Sequence, residues 1–432
     1  MTNLKRIRVD PDGLITQDQK GRMRRILLCR EEIDLVKADY ETGLRSIAKK
    51  YKELNHFFNG DILDARVDIV DEEADCLNRP LRIYYGIEPR CNLACKFCGP
   101  RDFHDEFKPA AEEVENFLLR EIAEAGTFQV QLTGGEIGIR GWDLLGIVEE
   151  CKKLGLAVIL STNGVWHCID RKEQFLEQLA NYDNIIQTKI SIEGTAEFHE
   201  SVRGKGTYKE TIETLTKLSK YELNPRISTT IFKSSCNKKE LEHLVSLAQK
   251  YSAGFQPIPL RPIGKASELW EEVPLKEQLR EYTMHATRLR QKTGVPITFN
   301  FDIFEEGRQV PIYDLHRPVS CGAPLWGVHI THTGEVYPCG FVQEADKEKT
   351  FLAGTITSEN RLLDIWLHSE ILKNVRHAGK SDKCNSCKDY GKGCWGGCWV
   401  VAWVKTGKIN GMDPYCLRED IETTCSTLAD RK

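Results

Sequence analysis

Cys91-Asn92-Leu93-Ala94-Cys95-Lys96-Phe97-Cys98 places three thiols in one short run. This CxxxCxxC spacing supplies three thiolates where an iron–sulfur cube wants four, which leaves one iron open to a small molecule. Spacing alone also fits a zinc site short of one ligand, or a loop of free thiols. The residues downstream decide. Phe128, Val130 and Leu132 alternate with Gln129 and Gln131 and predict a short strand that ends in Thr133-Gly134-Gly135-Glu136. Paired glycines at a strand end expose backbone to a ligand, because no Cβ blocks the approach. Glu136 beside them can accept from an ammonium.

The same pattern recurs along the chain. Ala157–Leu160 reads as a strand running into Ser161-Thr162-Asn163-Gly164, and Thr188–Ile192 alternates before Glu193-Gly194. Helix-like stretches follow at Leu144–Leu154 and Lys172–Asn181, with later strands at Arg226–Phe232 and Phe255–Arg261. Strands alternating with helices predict a parallel sheet whose function gathers at the carboxyl ends of its strands.

With a strand at Leu81–Ile87 before the cysteine loop, and Gly-Gly-Glu after the next strand, residues 80 to 265 resemble the radical S-adenosylmethionine enzymes. The resemblance implies an α/β fold, a partial (β/α)6 TIM-like barrel. Cys91, Cys95 and Cys98 would hold a [4Fe–4S] cluster whose open iron binds the amino and carboxylate groups of S-adenosylmethionine. Gly134, Gly135 and Glu136 would meet the methionine amine, and Phe97 would lie near the adenine. Ser191 and Glu193 sit where the family places ribose contacts, although it often has Asp at the position of Glu193. Arg203 sits where the family often places a carboxylate partner. Asn163, after a strand end that faces the pocket, reads as a cofactor contact or as a cap. Pro262-Ile263-Gly264 resembles the loop beside the adenine.

A second cysteine set comprises Cys321, Cys339, Cys384, Cys387, Cys394, Cys398 and Cys416. Its CxxC followed by CxxxC fits zinc and iron–sulfur equally by spacing. Together with the first motif it resembles the SPASM extension, although six residues separate Cys387 from Cys394 where that pattern usually has five. The resemblance implies two auxiliary [4Fe–4S] clusters, and so three in all. Cys384, Cys387, Cys394 and Cys416 would bind one. Cys321, Cys339 and Cys398 would bind the other, its fourth ligand open among Asp314, His316, Cys425, another residue or the substrate. Trp326, Trp395, Trp399 and Trp403 are expected to pack around the sulfur and shield it from water. His329 and His332 read as turn or packing residues. The remaining thiols, Cys29, Cys76, Cys151, Cys168, Cys236 and, its candidacy aside, Cys425, read as buried or incidental.

Composition agrees with this reading. The 432 residues allow two or three domains, and 41% hydrophobic with 29% charged residues is ordinary globular usage. A net charge of −4 gives no bulk reason to bind nucleic acid. No secretory signal opens the chain and no apolar run approaches a membrane span, so a cytoplasmic protein with metal-bound cysteines is expected. Residues 1–79 form an N-terminal extension, basic at first. Ile33, Val36, Tyr40, Leu44, Ile47, Tyr51 and Leu54 predict one helix over Glu31–Phe57, packed on the barrel or part of a winged-helix-like module that grips a leader peptide. Residues 80–304 form the barrel and 305–432 the C-terminal iron–sulfur domain.

By resemblance, the substrate is a ribosomally made precursor peptide that is crosslinked, epimerised or trimmed by excision, with an external electron donor of flavodoxin or ferredoxin type. A small-molecule substrate, dehydrogenated or used in cofactor or natural-product biosynthesis, is the alternative. The sequence names no catalytic acid or base: Gly340 follows Cys339 where some relatives carry an acidic residue.

Overall fold

The computed structural model describes residues 5–10, 13–17, 23–28, 30–50, 65–69, 79–98, 108–299, 323–378, 381–387 and 397–416. Near the N-terminus, β1 (Lys5–Asp10), β2 (Gly13–Gln17), β3 (Met23–Leu27) and β4 (Ala65–Ile69) form a four-stranded sheet ordered β3-β2-β1-β4. One helix was expected over Glu31–Phe57. Two are found, Arg30–Ala38 and Tyr40–Lys50, and residues 51–57 lie outside the described set. The break has a local cause. The Asp39 carboxylate accepts from Thr42 N (3.2 Å) and Thr42 Oγ1 (2.6 Å), which starts a new helix in place of continuing the old one. Gly43 then lets the two helices touch, since a Cβ there would collide with the Val36 backbone. Val9, Leu14, Ile33, Val36, Leu44 and Ile47 are buried, so the helices and sheet share apolar faces.

The barrel strands fall within a few residues of their expected bounds. They are β5 (Arg82–Glu88), β6 (Gln129–Gly134), β7 (Ala157–Thr162), β8 (Ile185–Ser191), β9 (Pro225–Ile231) and β10 (Gly254–Pro259). Each pairs in parallel with the next, and helices 112–124, 143–153, 172–179, 207–220, 238–250 and 276–293 connect or follow them. Alternation decides which face is which. In β9, Ile227, Thr229 and Ile231 are buried, while Arg226, Ser228 and Thr230 keep partial exposure on the other face. Ile227 and Ile231 join the apolar core shared with Leu215, Leu218, Leu241 and Leu244 of the surrounding helices. The polar face therefore lines the lumen.

The sheet does not stop at the barrel. From the C-terminal part, β11 (Gly327–Thr331) adds in parallel to the free side of β5, followed by antiparallel β12 (Glu335–Tyr337) and β13 (Gly354–Thr355). Gly327 permits the approach, because a Cβ there would overlap the Arg82 carbonyl. Arg361 and the Leu362 N–H both reach the Glu121 carboxylate on helix 112–124, which adds a side-chain tie between the two parts.

One buried ion pair braces the strand ends. Arg140, on the turn after Gly134-Gly135-Glu136, donates to Glu115 Oε1 (2.9 Å) and Oε2 (3.2 Å) and to the Ile87 carbonyl (3.2 Å). Burial pushes the Glu115 carboxyl upward and Arg140 pulls against it. Removing one partner leaves a buried charge uncompensated. We expect Arg140→Met to cost about 3–5 kcal/mol of unfolding free energy in urea. The double replacement with Glu115→Leu should recover most of it, and equal losses in the single and double variants would contradict the assignment.

Candidate active site

The loop after β5 carries the three cysteines and is pinned from several directions. Glu88, fully buried at the end of β5, accepts from Arg90 N (2.9 Å), Nε (2.8 Å) and Nη2 (3.0 Å), which folds the loop back. The end of β6 runs directly against it. Gly135 N donates to the Glu88 carbonyl (2.7 Å) and Glu136 N to the Arg90 carbonyl (2.9 Å). A Cβ on Gly134 would overlap the Glu88 carbonyl oxygen, and one on Gly135 the Arg90 carbonyl oxygen. Beyond β7, Asn163 Nδ2 donates to Asn92 Oδ1 (2.8 Å) and contacts Cys91 Sγ (3.8 Å), while Asn92 Nδ2 donates to the Val165 carbonyl (2.7 Å). From helix 196–203, Val202 accepts from Lys96 N (3.0 Å) and Arg203 Nη1 approaches Cys95 Sγ (3.9 Å).

Cys95 is buried, and Cys91 and Cys98 are half-buried. Burial pushes the Cys91 thiol up to about 11 and raises Cys95 too, with Arg203 opposing. Thiols gathered in a pocket with one guanidinium need further positive charge before they ionise together, and iron would supply it. Among the described residues no three His, Cys, Asp or Glu side chains close on a single ion. A cube instead spreads its thiolates over separate irons, so the three-thiol donor set fits it.

The structure gives Glu136 a different setting from the one expected. Its carboxylate is fully buried. Oε1 accepts from Gly138 N (2.8 Å), Thr162 Oγ1 (2.6 Å) and Trp166 Nε1 (3.0 Å), and Oε2 accepts from Asn163 N (2.6 Å). It holds the Thr162–Val165 turn in place, and burial raises its pKa against those four bonds. Glu193 and Arg203 are likewise turned to each other. Arg203 Nε (2.8 Å) and Nη2 (2.6 Å) meet Glu193 Oε1, and Thr230 N donates to Oε2 (2.6 Å). The same guanidinium stands 5.2 Å from the centre of the Phe97 ring, which packs edge-on against Phe232 at 5.2 Å. Phe97 thus borders a small apolar patch with Val202, Leu260 and Ala266, beside Ile263. Ser191 ends β8 and is partly exposed. Gly134, Gly135, Glu136, Asn163 and Arg203 therefore meet the cysteine loop directly, although the Glu193 and Arg203 side chains hold each other and the Glu136 carboxylate holds the turn after β7.

In the C-terminal part, Cys339 precedes helix 340–345, Cys384 lies on the 382–385 turn with Cys387 just after it, and Cys398 precedes helix 399–406. Asp413 links two of these cysteines. Its Oδ2 accepts from Cys398 N (2.6 Å) and its carbonyl from Cys416 N (3.0 Å), while Oδ1 takes Tyr415 N (2.9 Å). Gly397 makes room for this, since a Cβ would strike Asp413. Cys321, Cys394, Asp314, His316, Cys425, Cys29, Cys76 and Trp395 lie outside the described residues. Trp399 and Trp403 pack around Phe351 (5.5 and 4.9 Å). His329 is buried beside Gly86 and Gly340, and burial lowers its pKa to about 4, so it packs as a neutral ring. Cys151 and Cys236 are buried, whereas Cys168 is exposed. Glu88, Asn92 and Asp413 escaped sequence reading, although Glu88 and Asn92 stand beside or inside the motif itself.

Comparison with known proteins places this geometry. The radical SAM superfamily model matches residues 86–248, and the SPASM iron–sulfur cluster-binding domain model matches residues 321–389. Residues 86–248 thus match a radical SAM domain and residues 321–389 a SPASM domain, and these two domains indicate S-adenosylmethionine and iron–sulfur clusters as cofactors. Mycofactocin maturase MftC of Mycolicibacterium smegmatis is 27% identical over 81% of this chain and 86% of its own length. PqqA peptide cyclase of Bradyrhizobium diazoefficiens is 24% identical over 83% and 92%. In fold, the chain matches Streptococcus suis SuiB bound to the precursor peptide SuiA, with a TM-score of 0.71, 18% identity and coverage of 97% and 99%.

The glycine contact yields a direct test. Gly135→Ala should displace the cysteine loop and remove about four irons per chain after anaerobic reconstitution, with the thermal transition retained. Gly146→Ala, where a Cβ meets nothing within 4 Å, is the control. Full iron in Gly135→Ala would show that the loop does not depend on this contact.

Proposed function

We propose that this chain is a maturase that removes a hydrogen atom from a ribosomally made precursor peptide, leading to a crosslink, an epimerised centre or an excision. The observation that carries the reading is the cysteine loop pinned over the mouth of a parallel barrel whose lumen is lined by polar, partly exposed side chains. The names of the relatives support the substrate class: one is a maturase, another a peptide cyclase.

Cys91, Cys95 and Cys98 would hold the first cluster. Bound there, the cluster and S-adenosylmethionine would together supply reductive, hydrogen-abstracting radical chemistry. The chain's own residues do the rest. Glu88, Asn92 and Asn163 keep the loop rigid. Phe97 and its apolar neighbours offer a face for the adenine, and Gly134, Gly135, Ser191, Glu193 and Arg203 border the rest of the cofactor. The surrounding barrel keeps bulk water from a reactive radical.

Two auxiliary [4Fe–4S] clusters would complete the set, one on Cys384, Cys387, Cys394 and Cys416, the other on Cys321, Cys339 and Cys398. An external flavodoxin- or ferredoxin-type donor would reduce the first cluster in the cytoplasm. No described helix is long and apolar enough to cross a membrane. The small sheet and paired helices of residues 1–79 would hold the peptide's leader.

Two measurements test this reading. Wild type should hold about twelve irons and form 5′-deoxyadenosine with dithionite, whereas Cys95→Ala should hold about eight and form none. Deoxyadenosine at the wild-type rate from Cys95→Ala would refute the cofactor site. For the substrate, the peptide encoded by a short reading frame beside this gene should change mass in the full reaction. A chain lacking residues 1–79 should bind it at least about tenfold more weakly, because folded recognition modules supply much of such affinity. Unchanged affinity would remove the leader-binding assignment, and turnover of a small molecule alone would remove the peptide.

A further inference from the structure

Lys189 lies on the inward face of β8. Thr188, Ile190 and Ile192 on the outward face are fully buried, while Lys189 keeps partial exposure in the lumen. It stands two residues before Ser191 on the same face, about 7 Å deeper along the strand. Its register partners are Ser161 on β7 and Arg226 on β9. The ammonium donates to Gln131 Oε1 (3.1 Å), and that amide is itself oriented by Nε2 donating to Ser161 Oγ (2.9 Å). Among the described residues Lys189 forms no ion pair.

Among the described residues its charged neighbours are Arg226 from β9 and Arg82 from β5; β6 contributes the Gln131 amide and β7 the Ser161 hydroxyl that orients it. Burial and the two guanidiniums lower its pKa to about 7. Cations gathered in a confined lumen repel one another strongly, and the described strands that face Lys189 bring it no carboxylate. An ammonium in this position can still donate more hydrogen bonds than the one to Gln131. Among the described residues no anion completes this position, and one carried by the substrate would.

We propose that Lys189, with Arg82 and Arg226 beside it, docks a carboxylate of the substrate, either an acidic side chain or the C-terminus of the peptide. The assignment rests on the peptide reading above and narrows it. A charge-assisted bond deep in the lumen would fix the peptide's register below the cofactor, so that one hydrogen atom is presented for abstraction.

The test uses the reconstituted full-length holoenzyme and small probes followed by saturation-transfer NMR. N-acetylglutamate N-methylamide represents an acidic side chain, N-acetylalanine a C-terminus, and N-acetylglutamine N-methylamide is the neutral control. One of the two carboxylates should bind and the amide should not. Affinity should fall about tenfold or more between pH 6 and pH 9, because Lys189 is charged below its pKa and neutral above it. Lys189→Met should weaken binding about tenfold and abolish this pH dependence, with thermal midpoint and iron content unchanged. Lys189→Arg, charged throughout, should restore binding at pH 9.

Equal affinity for the amide, or unchanged carboxylate binding in Lys189→Met, would overturn the proposal. So would an equal loss of S-adenosylmethionine affinity in that variant, which would assign the lysine to the cofactor's own carboxylate. Loss of turnover with probe affinity intact would make Lys189 a proton carrier and overturn docking. The two readings fail separately: a peptide modified without probe binding removes only the dock, and probe binding without any peptide turnover removes only the peptide.

Discussion

Everything at the mouth of this barrel depends on how closely the end of β6 approaches the loop after β5. Two main-chain hydrogen bonds, Gly135 N to the Glu88 carbonyl and Glu136 N to the Arg90 carbonyl, hold the loop at a distance that leaves no room for a Cβ. The glycines earn their place by letting one backbone lie on another. A loop carrying three cysteines proposed as cluster ligands would otherwise be free to move, and ligand positions must be set before a cluster of fixed shape can bind well. Glu88 supports the contact from one side. Glu136 supports it from the other, by ordering the turn that carries Asn163.

A second constraint ties the two cysteine-bearing parts together. Because β11 is hydrogen-bonded to β5, the strand that leads into the cysteine loop is shared by the barrel and the C-terminal part. The Trp326 carbonyl accepts from Leu81 N (2.8 Å), so this coupling begins before the strand does. His329 fills the seam between Gly86 on β5 and Gly340, next to Cys339. Electrons pass efficiently only between centres held at stable separations. A continuous sheet gives that stability, which a flexible linker between independent domains could not.

The barrel was legible because its strands carry alternation on one face and glycine-bearing ends, and both follow from local chemistry. The N-terminal helix was not, because its three-and-four spacing runs through Asp39, whose side chain satisfies the next helix start. Short-range capping outweighed periodicity there. At the site, residue positions were legible and side-chain partners were not. Glu136 looks available in sequence, yet its neighbours Thr162 and Trp166 come from another strand end, and no spacing rule brings them together. Asp413 was silent for the same reason: its role is to bind backbone at Cys398, which becomes adjacent only on folding.

The lumen shows a division of charge that local reading also could not give. At the mouth, the carboxylates are consumed internally, Glu88 by Arg90 and Glu193 by Arg203. Deeper in, Arg82 shares an amide with Gln129 and Lys189 shares one with Gln131, so among the described residues amides orient these two cations and no carboxylate neutralises them. An amide accepts a hydrogen bond but carries no net charge, and the field of the cations therefore persists in the cavity. Such a lining is costly to maintain empty and favours an occupant that completes it. Radical chemistry would gain from this, because an occupant held through charge at one point would have fewer orientations in which the wrong hydrogen could react.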